Sequence, residues 1–453
     1  MKNEGYENLP GASSQRRVAV IGGGVSGLAA AWRLRNVAQV TLYEANDYFG
    51  GHAHTVDVTL PNAQGQPVTH GVDTGFLVLN ERTYPLMQHW MRQLDVPLAR
   101  SDMSFSVQVN RATGRTLEWN GSTLNTVFAQ RRNLLSPRFW GMLADIVRFN
   151  RLATALAVAP EAPAADITLH DFLERHRFGV GLRDDYLLPM LGCIWSCPTE
   201  QMLRFPMHTL VRFCHNHGLL QVQNRPQWYT VAGGSRQYVQ RVVADLPDAR
   251  LRSPVRRVQR HGRGVSVMTD QGWEAFDAVI FACHSPQALA LLDPPSTQER
   301  ALLGAMRTQS NLAVLHTDTS VMPQNRLAWA AWNYQHALKP GHSEPRVCLH
   351  YWINRLQPLP FAQPVLVTLN PQQPIRPECI LGQFDYAHPV FDGPALAAQS
   401  QLAELQGCYR SYYCGAWTGY GFHEDGLSSG WKAADQLMAD WGIAHSHHAT
   451  ATL

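Results

Sequence analysis

The stretch RRVAVIGGGVSGLAAAWRL, followed closely by QVTLYEA, constrains the fold of this chain more than any other segment. Residues 18–21 form a short apolar run of strand type, a glycine turn follows, and an Ala/Leu-rich segment of helical type comes next. QVTLYEA is rich in β-branched and aromatic residues and ends on the acid Glu44. Strand, turn, helix and strand make a βαβ unit, which calls for a parallel sheet at the N-terminal end. Within the turn, Gly22, Gly24 and Gly27 have the spacing GxGxxG. Bare backbone there lets a pyrophosphate approach the positive end of a helix, while a carboxylate at the end of the next strand accepts hydrogen bonds from ribose hydroxyls. A bound dinucleotide is therefore expected, although the motif alone does not choose between FAD and NAD.

Two kinds of segment alternate along the rest of the chain. From about residue 134 the pattern is helical, with Ser136 and Pro137 as N-cap and first-turn proline. VAPEAPAAD reads as a linker, and further helices are expected over 169–175, 184–195 and 207–215. VAGGSRQYVQRVVADL is a second glycine turn entering a helix, and β-rich pieces follow it. Four runs after residue 307, NLAVLHTD, LAWAAWNYQ, RVCLHYWIN and PVLVTLNP, have the character of an antiparallel sheet, and YYCGAWTGYGFHEDGLSSGWKAADQLM reads as strand, loop and closing helix. At 453 residues the chain has room for two domains. A net charge of +3 with no basic block gives no sign of a nucleic-acid partner. The eight cysteines are scattered and are expected to be reduced. No apolar run reaches the ~20 residues of a bilayer span, and the polar start MKNEGYENLPGASSQRR lacks the apolar core of a signal peptide, so a cytoplasmic location is expected.

EANDYFGGHAHT resembles the second FAD motif of the flavin-containing amine oxidase and phytoene desaturase superfamily. GVDTGF resembles its following Asp-x-Gly strand, VAGGSRQYVQRVVADL with SPVRRV and FDAVIFACHSP its central FAD segment, and CGAWTGYGFHEDGLSSGWKAA its C-terminal flavin motif. Along most of its length, including NERTYP, RRNLLSPRFW, FCHNHGLLQ and ACHSPQALALL, the chain is similar to a bacterial group of predicted FAD-binding, amine-oxidase-like oxidoreductases. The resemblance implies an α/β fold: a Rossmann-type FAD-binding domain (16–90, 225–300 and 405–445) with an inserted α+β substrate domain, helical over 91–224 and an antiparallel sheet over 301–404. It places Gly22, Gly24, Ser26, Gly27, Gly50 and Gly51 near the phosphates, Glu44 and Ala45 at the ribose, and Val255 at the adenine. Gly75, Gly415 and Trp417 with the loop after it are implied at the isoalloxazine end.

The departures from the family pattern carry the functional expectation. His52 stands where these enzymes usually have a phosphate-binding arginine and is read as a phosphate contact, with a solvated loop histidine as the alternative; His52 and His54 alone do not complete a zinc site. The family's acid after the C-terminal glycine is replaced by Ala416 and Trp417, which leaves Glu424 or Asp425 as its substitute. The lysine that many amine oxidases keep near the flavin has no counterpart, since Lys2, Lys339 and Lys432 fall in unsuitable segments. A dehydrogenase or desaturase that passes electrons to a separate acceptor is therefore expected, acting on an apolar, fatty-acyl or lipid substrate. The rivals are an amine oxidase, a flavin-dependent isomerase and a non-catalytic flavin-binding protein. His423 is expected to face the flavin, with His423 and Glu424 as candidate proton-transfer residues and Asp425 as a flavin contact. Cys193, Cys197, Cys214, His215 and His217 are read as helix packing rather than a metal set. In LHYWIN, His350 and Trp352 share one face and Tyr351 the other, so one set can line a cavity. SPRFWGMLADIVRFNRLA, apolar with several arginines, reads as an ordinary amphipathic helix, with peripheral membrane contact as the alternative; nothing in the sequence sets the oligomeric state.

Overall fold

The computed structural model describes residues 15–111, 114–159, 167–195, 202–221, 225–336 and 347–443. Lys2, Lys339, Cys197 and most of the linker at 160–166 lie outside them.

The first strand, Arg17–Ile21, is almost wholly buried and pairs in parallel with Gln39–Tyr43 on one side and Ala278–Phe281 on the other. Asp248–Arg250 and Ser411–Tyr413 complete a five-stranded parallel sheet. Strands from three distant segments thus assemble one nucleotide-type sheet. Burial on both faces explains why these strands read as continuous apolar runs. Two helices cover one face: Val25–Leu34, which enters from the glycine turn, and the closing helix His423–Asp440. They cross closely because a Cβ at Gly430 would lie 2.3 Å from the Ser26 carbonyl oxygen and one at Gly426 would lie 2.7 Å from Val25. Arg33 and Asp435 bridge the same pair with a 2.8 Å contact.

The second large unit is a seven-stranded sheet in the order 380–389, 308–316, 366–369, 348–352, 332–336, 105–110, 116–120. The four strands expected after residue 307 are mutually antiparallel neighbours in it. The sheet is larger than expected and is not purely antiparallel. Ile380–Pro389 forms an outer strand, and the hairpin Phe105–Asn110 and Thr116–Asn120 joins through a parallel pairing with Trp332–His336. The stretch 91–224, read as helical, therefore also supplies strands. Its helices, Pro137–Ala157, Leu169–Arg175, Leu188–Trp195 and Met207–Asn216, form a layer with its own core around Phe149, Leu187, Leu191 and Leu210. Ser136 caps the longest of them by accepting from the Phe139 amide, as its sequence position implies.

Asp73 ties the two units together. It is 1% exposed, and its carboxylate accepts from Thr55 Oγ1, the Ser235 amide and hydroxyl, and Gln357 Nε2 at 2.5–3.0 Å. Gln357 Oε1 in turn accepts from the Asp73 amide at 2.9 Å. Burial pushes this carboxyl up to about 6, against the lowering effect of these donors. Removing it strands several buried donors at once. Asp73→Ala is expected to lower unfolding free energy by about 3 kcal/mol in urea titration, a loss that Asp73→Asn recovers in part.

Candidate active site

A cavity of about 770 Å³ runs from the glycine turn into the second unit, a size within the ~300–1,000 Å³ usual for ligand sites. At one end are the bare backbone of Gly22–Gly24 and the Glu44 carboxylate; at the other are side chains of the helical layer and the large sheet.

The glycine turn divides its work between residues. A Cβ on Gly27 would sit 1.8 Å from the Gly22 carbonyl oxygen, and one on Gly22, at φ +112°, would meet Ala282 backbone at 2.9 Å. Gly27 itself does not line the cavity: the expectation that it lies at the phosphates is corrected to a packing role. Gly24 is the opposite case. Its φ of −74° suits any residue, and a Cβ there would meet no protein atom within 4 Å, so the missing side chain keeps open nothing but the cavity. Glu44 Oε2 accepts from the Gly23 amide at 2.7 Å and Oε1 from the Asn46 amide at 2.9 Å. Each oxygen retains a lone pair for a ribose hydroxyl. Ser26, Ala45, Gly50, Gly51, His52, Gly75, Val255, Gly415 and Trp417 all line the cavity, as does His423.

Glycine is again required at Gly75, where a Cβ would lie 2.4 Å from the His52 carbonyl oxygen; Phe76 N donates to that same oxygen at 2.7 Å. This locks the GGHAHT loop to the strand end that carries Asp73. The His52 ring lies 5.3 Å from His388 and 6.3 Å from His284, between ring centroids, and its Nε2 has no partner within the protein. Burial and the neighbouring imidazoles hold it well below the ordinary histidine range, so the ring is neutral. His54 faces elsewhere, stacked on Tyr48 at 4.1 Å with Nδ1 2.9 Å from Tyr386 Oη.

His423 stacks flat on Phe76 at 3.7 Å, leaves Nε2 without a protein partner, and is held by burial at about 3. Glu424 and Asp425 are not at the cavity. Consecutive helical residues diverge by about 100°, so with His423 opening the closing helix its neighbour points away. Glu424 accepts from the amides of Leu86 and Met87, at the start of the helix Pro85–Gln93, at 2.7 and 2.9 Å. Asp425 caps its own helix by accepting from the amides of Tyr420 and Phe422. Both acids are structural, and their assignment to proton transfer or flavin contact is corrected accordingly.

Sequence reasoning missed His388 and His284. In the strand Ile380–Pro389, Phe384, Tyr386 and His388 alternate on the face that meets His52 and His54; period two is the signal that would have found them. A relay of amides fixes the state of His388. Asn370 Oδ1 accepts from the Leu312 amide, so Asn370 Nδ2 donates to Asn311 Oδ1 at 2.8 Å. Asn311 Nδ2 must then donate to His388 Nδ1, 2.9 Å away. Held at about 4 by burial, His388 is a neutral ring with its proton on Nε2. In LHYWIN it is Tyr351 that lines the cavity; His350 is 1% exposed and bonds Thr368 at 2.8 Å. No metal-holding group of His, Cys, Asp or Glu occurs among the described residues.

The parallel sheet, the two-part glycine turn and the carboxylate beside it define a dinucleotide-binding protein with an added cavity-bearing unit. Residues 25–354 match the family described as flavin containing amine oxidoreductase, and the chain belongs to that family. Its cofactor is FAD, which the open face at Gly24, the free lone pairs of Glu44 and the unpartnered Nε2 of His52 fit. The chain is 28% identical over 312 residues to AofH of Mycobacterium tuberculosis, a candidate flavin-containing monoamine oxidase, covering 65% of this chain and 63% of that one. It is 27% identical over 315 residues to a carotenoid phi-ring synthase of Streptomyces griseus, covering 64% and 57%. The matches thus span less than two thirds of either relative. Among solved structures, a CLA-producing fatty acid isomerase from P. acnes shares the fold, with a TM-score of 0.64, 16% identity, and 95% and 100% coverage of the two chains.

The glycine turn predicts separable effects. Gly24→Ala is expected to leave the melting temperature of cofactor-free protein unchanged while weakening FAD binding at least tenfold by fluorescence titration. Gly27→Ala is expected to destabilise the fold itself by several kcal/mol, about the cost of overpacking a tight contact.

Proposed function

We propose that this protein is an FAD-dependent dehydrogenase that withdraws a hydride and a proton from a neutral, apolar substrate of fatty-acyl or lipid type, leaving a C=C bond. The observation that supports this most is the lining of the cavity. Beyond His423 its walls are Cys193, Ile194, Trp195, Phe213, Trp332 and Tyr351, with His217 and further aromatic and aliphatic residues. Glu44 and Asp385 are the only acids among the described lining residues, and no lysine or arginine is among them. Glu44 sits at the nucleotide end, and Asp385 is on the strand face opposite Tyr386 and His388. A cationic amine would meet no counter-charge at the apolar end, whereas a hydrocarbon chain would exchange water for aromatic and aliphatic surface.

A bound flavin supplies a two-electron, hydride-accepting centre. The chain supplies enclosure and a proton acceptor. His423, neutral and with Nε2 unpartnered, takes the proton there in the tautomer that carries its hydrogen on Nδ1, and its stacking on Phe76 fixes the ring plane. His388 presents an N–H from Nε2, which orients a polar substrate head without accepting a proton. Among the described residues no lysine lines the cavity, and electrons pass in this reading to a separate acceptor rather than efficiently to oxygen. Carotenoid phi-ring synthase, one of the relatives, is named for an apolar product. AofH is named for amine chemistry and supplies the second reading, amine oxidation.

Anaerobic mixing of the FAD-loaded protein with acyl chains and with amines separates the two readings. Bleaching of the flavin by acyl substrates, with a rate that falls ~10²-fold or more in His423→Gln while substrate affinity changes little, is the expected result. Bleaching by amines alone contradicts it. Because burial holds His423 at about 3, the neutral, active form persists as pH falls, and the bleaching rate should stay level from pH 8 to near pH 4 before dropping. An acid limb near pH 6.5 would exclude His423 as the acceptor.

A further inference from the structure

Residues 121–159 carry a surface that the cavity chemistry does not use. Leu135 is 89% exposed, Leu124 80%, Val147 65% and Trp140 50%, an unusual concentration of bare apolar side chains in one short stretch. They are held in place rather than dangling. The Trp140 ring packs against Phe128 at 5.1 Å, its Nε1 donates to the Leu134 carbonyl at 2.9 Å, and Arg131 donates to the Phe128 carbonyl at 2.9 Å. The indole has thus satisfied its one polar group within the protein, and a half-bare hydrocarbon ring remains outside.

The charges beside this surface are of one sign. The same stretch contains Arg131, Arg132, Arg138, Arg148 and Arg151 against a single acid, Asp145. Asp145 is already engaged by Arg148 at 3.0 Å and by the Gly179 amide at 2.9 Å. Arg138 shares the buried Asp185 with Arg111, two cations for one anion. Arg131 and Arg132 are exposed, and they donate to carbonyl and amide oxygens, which neutralise nothing. The opposite face of the helix Pro137–Ala157 buries Phe139 and Met142 in the core of the large sheet, and Phe149 and Ala153 in the helical layer whose Trp195 and Phe213 wall the cavity.

From this geometry we propose that residues 124–147 form a docking surface for an anionic lipid bilayer, with Leu124, Leu135, Trp140 and Val147 entering the headgroup region and Arg131, Arg132 and Arg138 pairing with lipid phosphates. No helix among the described residues is long and apolar enough to cross a membrane, so the contact is one of resting on the surface. Apolar side chains rimmed by cations in excess of their acids match the two attractions that hold an interfacial segment, burial of hydrocarbon and a negative surface potential. The inference does not depend on the proposed dehydrogenation, because its test reads binding and not turnover.

The test is co-sedimentation of the full-length, FAD-loaded protein with vesicles of phosphatidylcholine alone and of phosphatidylcholine mixed with phosphatidylglycerol. Binding to the mixed vesicles alone is expected, weakened about fivefold for each arginine neutralised in Arg131→Gln and Arg132→Gln. Leu135→Glu, at an almost wholly exposed position, and Trp140→Glu should each reduce it to the level on neutral lipid. Amide exchange should show new protection over 124–147 on mixed vesicles. Failure to bind anionic vesicles overturns the proposal, as does binding that Leu135→Glu and Trp140→Glu leave unchanged. A concentration-dependent dimer that Leu135→Glu dissociates also overturns it, by assigning the surface to a second copy of the chain.

Discussion

The Gly22 carbonyl oxygen occupies the place where any side chain at position 27 would begin, and this contact underlies the remaining architecture. It lets the helix Val25–Leu34 leave the first strand without clearance, and so aims its amide end at the cavity. Gly426 and Gly430 of the closing helix cross the same helix at Val25, Ser26 and Ala29, which brings a segment from the far end of the chain back to the first strand. His423 begins that closing helix. The residue proposed for proton transfer is therefore placed by the packing of two helices from opposite ends of the sequence.

A second constraint follows from burial. His52, His388 and His423 all meet the cavity, and desolvation holds each below the ordinary histidine range. A family arginine at position 52 would bring a permanent charge; the imidazole there brings a neutral donor or acceptor instead. The cavity is consequently polar at several points but carries little charge. Asp73 is the converse. It is a buried acid surrounded by donors, it serves the junction of the two units, and it lies outside the cavity.

The nucleotide-binding part was legible because its determinants are local. A β-branched run, a glycine turn and an acid at fixed spacing predict the strand and turn that are found, with Glu44 beside the turn. The helical layer was legible for the same reason, through Ser136 and the periodic apolar residues after it. What escaped was set by distant partners. The hairpin at 105–120 belongs to the large sheet only because Trp332–His336 pairs with it in parallel, and no local signal marks that pairing. The strand carrying His388 mixes glycine, aspartate and proline with its aromatics, which obscures its alternation. Glu424 was misplaced because adjacency in sequence was read as adjacency in space, while the helix that starts at His423 turns the two side chains apart.

The central claim, that the crevice between the glycine turn and the histidine-lined wall holds FAD with its adenosine end at Glu44 and Val255, is tested most directly by titrating cofactor-free protein with FAD and with FMN. FMN keeps the isoalloxazine ring but lacks the adenosine. The account predicts one FAD per chain with strong fluorescence quenching, and FMN binding weaker by at least two orders of magnitude. Equal affinity for the two, or no binding of either, would contradict it.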